Sequence, residues 1–364
     1  MSGFPFSSEF FAASGSLPII RNRDVVRGFS TTFYSGPFST EHLVEQGDLL
    51  LSMDGDFRVG TWKAGPALLN QRVCRIRATP AVDKEFLRFF LPAQLQQIQD
   101  ATPFATVKHL SLKTVSSIRV RLPNLREQHR VATMLHKADA IRRKRRQIQW
   151  LLDQFVRSAF FNMFGDPAAN PNTWPVARLG ERLSFLTSGS RGWARYYAAV
   201  GRPFLRIQNV GHNQLKLDDV VHVAPPPGAE ADRTEVRAGD VLLSITADLG
   251  RTAVVPPDLP PAHVNQHLAL LRVTDLEPLY VAEFLASLGG RRQLKALNRQ
   301  GVKAGLNFDD IRSVRIPVPP VDRQQRFALL YRRQQATVKT VRQAIDQSDT
   351  LFESLSHHAF REDL

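Results

Sequence analysis

The chain has 364 residues, 43% of them hydrophobic and 23% charged, so it is long enough for two globular domains and too apolar for a disordered protein. The single cysteine, Cys74, excludes an internal disulfide and a cysteine-based zinc cluster, and no apolar run reaches the roughly 18 residues of a membrane-spanning helix. Because the N-terminus also lacks a secretory signal, we expect a cytoplasmic protein with no membrane partner. The formal net charge of +14 indicates a polyanionic partner such as nucleic acid.

Four segments of the first half of the chain recur, in the same order, in the second half. Matched order with small changes of spacing is typical of duplicated domains with variable loops, so we predict an internal duplication. The paired segments are Pro18–Val25 and Pro203–Val210, Val44–Ser52 and Val236–Ser244, Ala67–Arg77 and Ala262–Arg272, and Ser117–Ala132 and Arg312–Ala328.

Each copy is predicted to begin as a mixed α/β globule. Short β-prone runs bounded by Gly, Pro and Asn indicate strands, and a helical patch follows them at Lys84–Gln99 and at Leu279–Leu297. The strand runs are Ile19–Ile20, Asp48–Met53 and Arg72–Ile76 in the first copy, and Phe204–Ile207, Asp240–Ile245 and Leu268–Val273 in the second.

Each copy is predicted to end in a long polar helix that begins after a proline-rich turn. Apolar and small residues then alternate in steps of four and three, the 3.5-residue repeat of a coiled coil, although Arg142 and Arg145 interrupt it in the first copy. The repeat positions are Val131, Leu135, Ala138, Arg142, Arg145, Ile148, Leu152, Phe155 and Ala159 in the first helix, and Phe327, Tyr331, Gln334, Val338, Val341, Ile345, Ser348, Phe352, Leu355 and Ala359 in the second. An isolated rod would leave this seam in water, so we expect the two helices to pair with each other.

These patterns predict four consecutive segments along the chain. A globule at residues 1–121 precedes a helix at 122–165, and a second globule at 166–319 precedes a second helix at 320–364. The Gly165–Pro175 segment, rich in Pro and Asn, is the predicted linker between the first helix and the second globule.

Extended motifs over nearly the whole chain resemble the DNA specificity (S) subunits of Type I restriction-modification systems. Two sets of motifs resemble two subtypes of target-recognition domain, and a third set resembles the family's helix starts. The motifs are Trp174–Val210 for one subtype, Phe4–Val25 with Leu49–Phe57 and Leu68–Arg77 for the other, and Arg126–Gln128 and Arg323–Gln325 for the helix starts.

The resemblance implies an α+β fold, in which two duplicated mixed α/β target-recognition domains are separated by two long antiparallel coiled-coil helices. It implies a non-catalytic subunit that binds double-stranded DNA, each domain reading one half of a bipartite target. The implied partners are two modification (methyltransferase) subunits and restriction (translocase and nuclease) subunits. S-adenosylmethionine, ATP and magnesium would be bound by those partners, with no cofactor or metal on this chain.

The two copies differ at their starts. A Trp-Pro strand precedes Ser188–Gly189 in the second copy, whereas the first copy begins almost at the equivalent Ser2–Gly3. We therefore expect the first domain to lack its opening strand, unless the true start of the protein lies upstream.

The candidate DNA contacts of the second copy lie in one loop punctuated by glycines. Arg191 and Arg195 could each bind guanine through two hydrogen bonds. Trp193, Tyr196 and Tyr197 could stack on bases or line a groove, but they could equally belong to the hydrophobic core.

Further basic candidates lie in segments that the two copies share. Arg21, Arg23 and Arg206 belong to the first duplicated segment. Lys108 and Lys303 occupy corresponding polar loops, where they could contact phosphates or be ordinary surface lysines.

Two polar pairs allow either a structural or a DNA-reading role. Asp54 and Asp56 suggest a turn or acceptors for cytosine amino groups more than a metal site, because the second copy keeps only Asp248. The Asn-Gln pairs that start at Asn70 and Asn265 suit adenine, but a pair kept in both copies favours a structural turn.

A basic run in the first long helix comprises Arg142, Arg143, Lys144, Arg145 and Arg146. Such a run is usually a solvated helix face. Attraction to the DNA backbone between the half-sites, or docking of an acidic partner surface, would fit it equally well.

An enzyme is the rival class of protein. A methyltransferase would need a glycine-rich cofactor loop and an Asn/Asp-Pro-Pro-aromatic motif, and the sequence that starts at Asn170 lacks the second proline and the aromatic residue. His357 and His358 have no neighbouring carboxylate cluster in the sequence. A nuclease with scattered carboxylates stays open as an alternative, as does a stand-alone DNA-binding protein or antirestriction decoy.

Overall fold

The structure, a computed structural model, describes residues 1–102, 108–298 and 305–360. Contacts divide the chain into two compact units. Unit 1 comprises Met1–Arg146 with Gln343–Leu364, and unit 2 comprises Gln147–Arg342. No helix in these described ranges combines the length and apolarity needed to cross a bilayer.

Unit 1 contains two small sheets and a helical layer. The strands are β1 (Phe11–Ala12), β2 (Leu17–Ile20), β3 (Phe33–Tyr34), β4 (Leu43–Val44), β5 (Leu49–Ser52), β6 (Val59–Thr61), β7 (Ala67–Leu69) and β8 (Val73–Ile76). They are ordered β1-β3-β2-β7-β4 and β6-β5-β8. The helices are α1 (Asp24–Arg27), α2 (Lys84–Ala101), α3 (Leu112–Ser116) and the first part of α4 (Leu125–Phe164).

Unit 2 repeats this plan and adds strands to it. Its strands are β9 (Val176–Arg178), β10 (Leu183–Ser188), β11 (Tyr197–Ala198), β12 (Arg202–Leu205), β13 (Val221–Val223), β14 (Val241–Ser244), β15 (Thr252–Val254), β16 (His263–Val264), β17 (Leu268–Val273) and β18 (Arg315–Pro317). They form sheets β10-β17-β14-β15, β11-β13-β12-β16 and β18-β9. The helices are α5 (Ala229–Thr234), α6 (Pro278–Ala286), α7 (Leu288–Leu297), α8 (Phe308–Ser313) and α9 (Val321–Phe360). The second part of α4 also belongs to unit 2, and α9 continues into unit 1 after Arg342.

The predicted duplication is visible in the strand pairing. In unit 1, β2 pairs in parallel with β7, and Ile19 lies opposite Leu68. In unit 2, β12 pairs in parallel with β16, and Phe204 lies opposite His263. Strands β5 and β14 each pair antiparallel with two neighbours, β6 and β8 or β15 and β17. The predicted α+β fold with two duplicated domains is confirmed.

A Gly-Asp turn starts the central strand of each unit. Gly47 and Gly239 have φ angles of 91° and 87°, which glycine adopts without steric cost. Each following aspartate closes the turn, because Oδ2 of Asp48 accepts from the backbone N–H of Glu45 at 3.0 Å and Oδ2 of Asp240 from that of Arg237 at 2.7 Å.

The two units differ at the edge of the sheet where the copies begin. In unit 2, five residues of β10 pair with β17, and Ser188 lies opposite Ala269. In unit 1, Ser2 occupies the equivalent place opposite Cys74, and the carbonyl of Met1 accepts from the N–H of Arg75 at 2.8 Å. The described part of unit 1 therefore has only Met1 and Ser2 along this edge.

The two 40-residue helices pair antiparallel within each unit, as predicted. In unit 1, Val131 and Leu135 share a core cluster with Phe352 and Leu355. In unit 2, Phe160 packs edge-on against Phe327 with a centroid distance of 5.3 Å. The helices begin at Leu125 and Val321, within a few residues of the predicted starts.

The predicted repeat is wrong in the second part of α4. Ile148 and Phe155, assigned to the seam, are exposed, whereas Val156 and Phe160 are buried. The buried positions shift by one residue after Arg145 because the seam then follows the 3.6-residue period of a straight helix. Side chains assigned to the seam therefore lie on the open face.

Candidate nucleic-acid interface

The predicted DNA contacts of unit 2 lie in a loop whose course is fixed by two glycines, Gly189 and Gly192. A Cβ atom on Gly189 would lie 2.0 Å from the carbonyl oxygen of Val264, so only glycine fits this close approach. Gly192 has a φ of 74°, which reverses the chain before a short 3-10 helix at Trp193–Tyr196. Arg191 lies on this turn and is exposed.

Trp193 belongs to the core, the second of the two roles that the sequence left open for it. Its side chain is only 2% exposed and stacks on Phe204 with a centroid distance of 5.9 Å. It also meets the edge of His263 at 5.1 Å. Burial lowers the pKa of His263, and the charge of Arg202 lowers it further, so the imidazole beside Trp193 is held neutral.

Arg195 and Tyr197 are the other exposed groups of this loop. The guanidinium of Arg195 lies 4.9 Å from the ring centroid of the half-buried Tyr196, and Tyr197 exposes nearly half of its surface. Arg206, in contrast, is bound within the unit. Its Nη2 lies 3.6 Å from Oδ2 of Asp219 and donates to the Asp219 carbonyl, which disfavours a contact with a base.

In unit 1 two of the five candidate residues line one open groove of about 390 Å³. Arg21 and Asp54 line it together with Asn70, Gln71 and Arg72. The Asn70 side chain serves the local turn, since its Oδ1 accepts from the N–H of Gln71 at 2.9 Å. In unit 2, Oδ1 of Asn265 likewise accepts from the N–H of His267 at 3.1 Å, which supports the structural interpretation of both asparagines.

Asp54 is the centre of an ion-pair network in this groove. Its Oδ2 lies 3.2 Å from Nε of Arg72, and its Oδ1 lies 2.6 Å from Nδ1 of His109. Its carbonyl accepts from Nδ2 of Asn22 at 2.7 Å. Arg72 and His109 were not predicted from the sequence, although the repeated Asn-Gln pair directly before Arg72 marks the position.

The neighbouring candidates have local partners. Asp56 pairs with Arg58 at 3.0 Å, and the hydrogen bond from this guanidinium lowers the pKa of the exposed carboxyl. Arg23 is exposed and approaches Asp24 at 3.9 Å. Nζ of Lys108 donates to the carbonyl of Gln99, and Lys303 lies outside the described residues.

Three of the five basic-run residues bind the other long helix. Nε of Arg142 donates to Oδ1 of Asp349 at 2.7 Å, Nη2 of Arg146 donates to its Oδ2 at 2.9 Å, and Nη1 of Arg145 donates to the carbonyl of Ala344 at 2.5 Å. These hydrogen bonds, above all the one from Arg142, lower the pKa of Asp349. Helix pairing is therefore a role of the run that none of the three predicted alternatives contained.

The other two residues of the run lie outside this contact. Arg143 pairs with Asp139 of its own helix at 3.2 Å, and Lys144 is exposed. A solvated face, DNA attraction and partner docking thus stay open for these two residues.

After Arg145 the buried positions of α4 shift by one residue, and this shift leaves an apolar stripe exposed to solvent. It comprises Ile148, Leu151 and Phe155, each of which exposes nearly half of its surface. Phe155 also lines a groove of about 400 Å³ together with Leu329 of α9. Contiguous exposed apolar side chains of this kind mark interaction surfaces.

Comparisons with known proteins identify the class of protein that the sequence motifs resemble. The family described as Type I restriction modification DNA specificity domain matches residues 2–150 and 227–339. The Type I restriction enzyme EcoBI specificity subunit of Escherichia coli is 27% identical over 400 residues, covering 100% of this chain and 83% of that protein. The MjaIX specificity subunit of Methanocaldococcus jannaschii is 23% identical over 184 residues, covering 45% of this chain and 42% of that protein.

Solved structures share the fold. The S subunit of a Type I restriction-modification system from M. genitalium aligns with a TM-score of 0.60 at 13% identity, over 100% of this chain and 94% of that one. A chain from a structural study of complex assembly and conformational transition in the type I R-M system aligns with a TM-score of 0.51 at 20% identity. That alignment covers 88% of this chain and 83% of the other.

Proposed function

Because the chain belongs to the Type I restriction-modification DNA specificity family, we propose that it is the non-catalytic subunit that directs modification and restriction subunits to a bipartite DNA target. One observation carries the proposal: the two units share a backbone framework and present different polar side chains on it. A shared backbone framework with different exposed side chains suits two domains that read two different half-sites.

The loops of both units suit base recognition. Arg191 and Arg195 on the Gly192 turn of unit 2 are exposed donors whose forked geometry matches the edge of guanine. The groove of unit 1 gathers Arg72 and Gln71, whose side chains also match base edges. The net charge of +14 adds attraction for the phosphate backbone that does not depend on sequence.

The apolar stripe supports docking of a partner protein on the helices. Exposure of Ile148, Leu151 and Phe155 to water is unfavourable, and a modification subunit bound there would bury these side chains. In this proposal S-adenosylmethionine, ATP and magnesium are bound by the modification and restriction subunits, and this chain recognises the target sequence.

The test is target selection from a randomised DNA library by the chain assembled with its modification subunits. We expect two half-sites, and Arg191→Ala or Arg195→Ala should cost about 1 to 3 kcal/mol at one half-site only. Arg312→Ala is the matched control in unit 2, because Arg312 is exposed and pairs with Asp309 at 3.0 Å on α8, outside the loop.

Two results would contradict the proposal. One is a complex that selects no sequence. The other is methyl transfer or DNA cleavage by the chain alone, supplied with S-adenosylmethionine, ATP and magnesium, because the proposal places that chemistry on the partners.

A further inference from the structure

The polar network of unit 1 and its counterpart in unit 2 are built on the same backbone positions. The N–H of Met53 donates to the carbonyl of Arg72 at 3.0 Å, and the N–H of Ile245 donates to that of His267 at the same distance. Asp54 forms a β-bridge with His109, and Thr246 forms the equivalent bridge with Gly305. Three positions therefore correspond: Asp54 to Thr246, Arg72 to His267, and His109 to Gly305.

The side chains at these positions differ in chemistry. In unit 1 a carboxylate lies between a guanidinium and an imidazole, and Arg72 exposes 47% of its side chain. In unit 2 the hydroxyl of Thr246 lies 2.8 Å from Nδ1 of His267, whose Nε2 lies 3.3 Å from Nε2 of Gln266. At these three positions the two units share the backbone hydrogen bonds but differ in every side chain. The Gly-Asp turns, which have a structural role, instead keep the same residue types in both units.

The Asp54 carboxylate fixes the orientation of Arg72. Nε of Arg72 lies 3.2 Å from Oδ2 of Asp54, and Nη1 contacts Nδ1 and Nε2 of His109 at 3.1 and 3.3 Å. Nη2 and the second N–H of Nη1 then form the outer edge of the guanidinium. A guanidinium held at one edge loses less rotational freedom when the other edge makes two hydrogen bonds. The O6 and N7 atoms of guanine are the acceptors that match this fork in the major groove.

We infer that these equivalent positions set the base specificity of the two half-sites, with Arg72 reading a guanine in the half-site of unit 1 and His267 reading a different base in that of unit 2. This inference rests on the proposed function. Arg72 and His267 contact the bases, whereas Asp54 and Thr246 are positioning residues. Because Nδ1 of His267 is held by the Thr246 hydroxyl, only Nε2 could bind a base, in exchange for its 3.3 Å contact with Gln266. A single hydrogen bond cannot replace the two-bond contact of Arg72.

The experiment is target selection by the assembled complex, with variants at each position. Arg72→Ala should reduce the preference for guanine at one base pair of one half-site by roughly 5- to 150-fold and leave the other half-site unchanged. Arg72→Lys keeps the charge without the fork, so it should lose the same preference while the salt dependence of binding stays unchanged. Asp54→Asn should weaken the preference less, and His267→Ala should change only the second half-site.

Arg58→Ala is the matched control, since Arg58 is an exposed arginine of the same unit paired with a carboxylate outside the groove. A wild-type complex that selects no sequence would contradict the proposed function itself. A wild-type complex that selects two half-sites while Arg72→Lys retains the guanine preference would overturn the inference alone. Equal loss of affinity for all sequences in Arg72→Ala, restored by Arg72→Lys, would identify a phosphate contact and overturn it as well.

Discussion

At the scale of single residues, two buried glutamines fasten the long helices to the domains. Gln128 and Gln324 are each 1% exposed and hold equivalent places near the helix starts. Oε1 of Gln128 accepts from the N–H of Asp83 at 2.8 Å, and Oε1 of Gln324 accepts from that of Glu277 at 2.9 Å. Asp83 and Glu277 are the residues that precede α2 and α6, so each glutamine joins the starts of two helices.

Gln324→Ala should lower the free energy of unfolding by about 1 to 3 kcal/mol, because it leaves the Glu277 N–H and the Pro319 carbonyl buried without their partner. Chemical denaturation measures this loss. The neighbouring Gln325 is exposed, so Gln325→Ala is a matched control that removes the same atoms without the same bonds. Equal stability of the two variants would contradict the assigned role of Gln324.

At the scale of elements, polar groups as well as apolar ones hold the helix pair together in unit 1. Asp349 of α9 accepts from Arg142 and Arg146 of α4, and the guanidinium carbon of Arg142 lies 4.2 Å from the ring centroid of Phe352. Arg142, one of the two arginines that interrupt the predicted repeat, therefore belongs to the seam. A long side chain can cover an apolar ring and still reach a carboxylate at the edge.

The lowered pKa of Asp349 predicts a pH-dependent stability. A carboxyl whose pKa is lower in the folded state stabilises the fold above its unfolded pKa of about 3.9, and this contribution is lost as the pH falls through the folded pKa. Asp349→Asn should cost about 1 kcal/mol at neutral pH, and the cost should vanish in strong acid. Urea denaturation at several pH values measures this difference.

Asp346→Asn is the control, because Asp346 is an exposed carboxylate on the same helix. If Asp349→Asn kept the wild-type dependence on pH, the ion pair would not stabilise the helix pair.

At the scale of the whole molecule, both long helices run through the two units. Helix α4 passes from unit 1 to unit 2 after Arg146, and α9 passes back after Arg342. If the two units read two half-sites, as proposed, we expect the continuous helices to set the spacing between them, because an α-helix is stiff over many turns.

Inserting four residues into both helices at these two points should lengthen the connection by about 6 Å and approximately preserve the seam. DNA rises about 3.4 Å per base pair, so the preferred spacer should grow by one or two pairs while the half-site sequences stay unchanged. Selection from a randomised library by the assembled complex measures the spacer. Insertion into one helix alone should mismatch the pair and weaken folding, and an unchanged spacer after the paired insertion would refute this ruler role.

The sequence by itself determined the features that local patterns specify. The repeated segments predicted the duplication, the β-prone runs bounded by Gly, Pro and Asn predicted the central strands, and the proline-rich turns predicted where the long helices begin. Turn chemistry and periodicity act over a few neighbouring residues, so the sequence alone records them.

Only the tertiary structure decided which side chains meet and which face outward. Trp193 in a loop has the same local pattern whether it is buried or exposed, and its burial depends on Phe204 and His263, which are distant in the sequence. Asp54 and His109 are 55 positions apart, and their contact follows from strand pairing that no local pattern records. The phase of the α4 seam is likewise set by the partner helix, because a 3.5- and a 3.6-residue repeat diverge by only a fraction of a residue per turn.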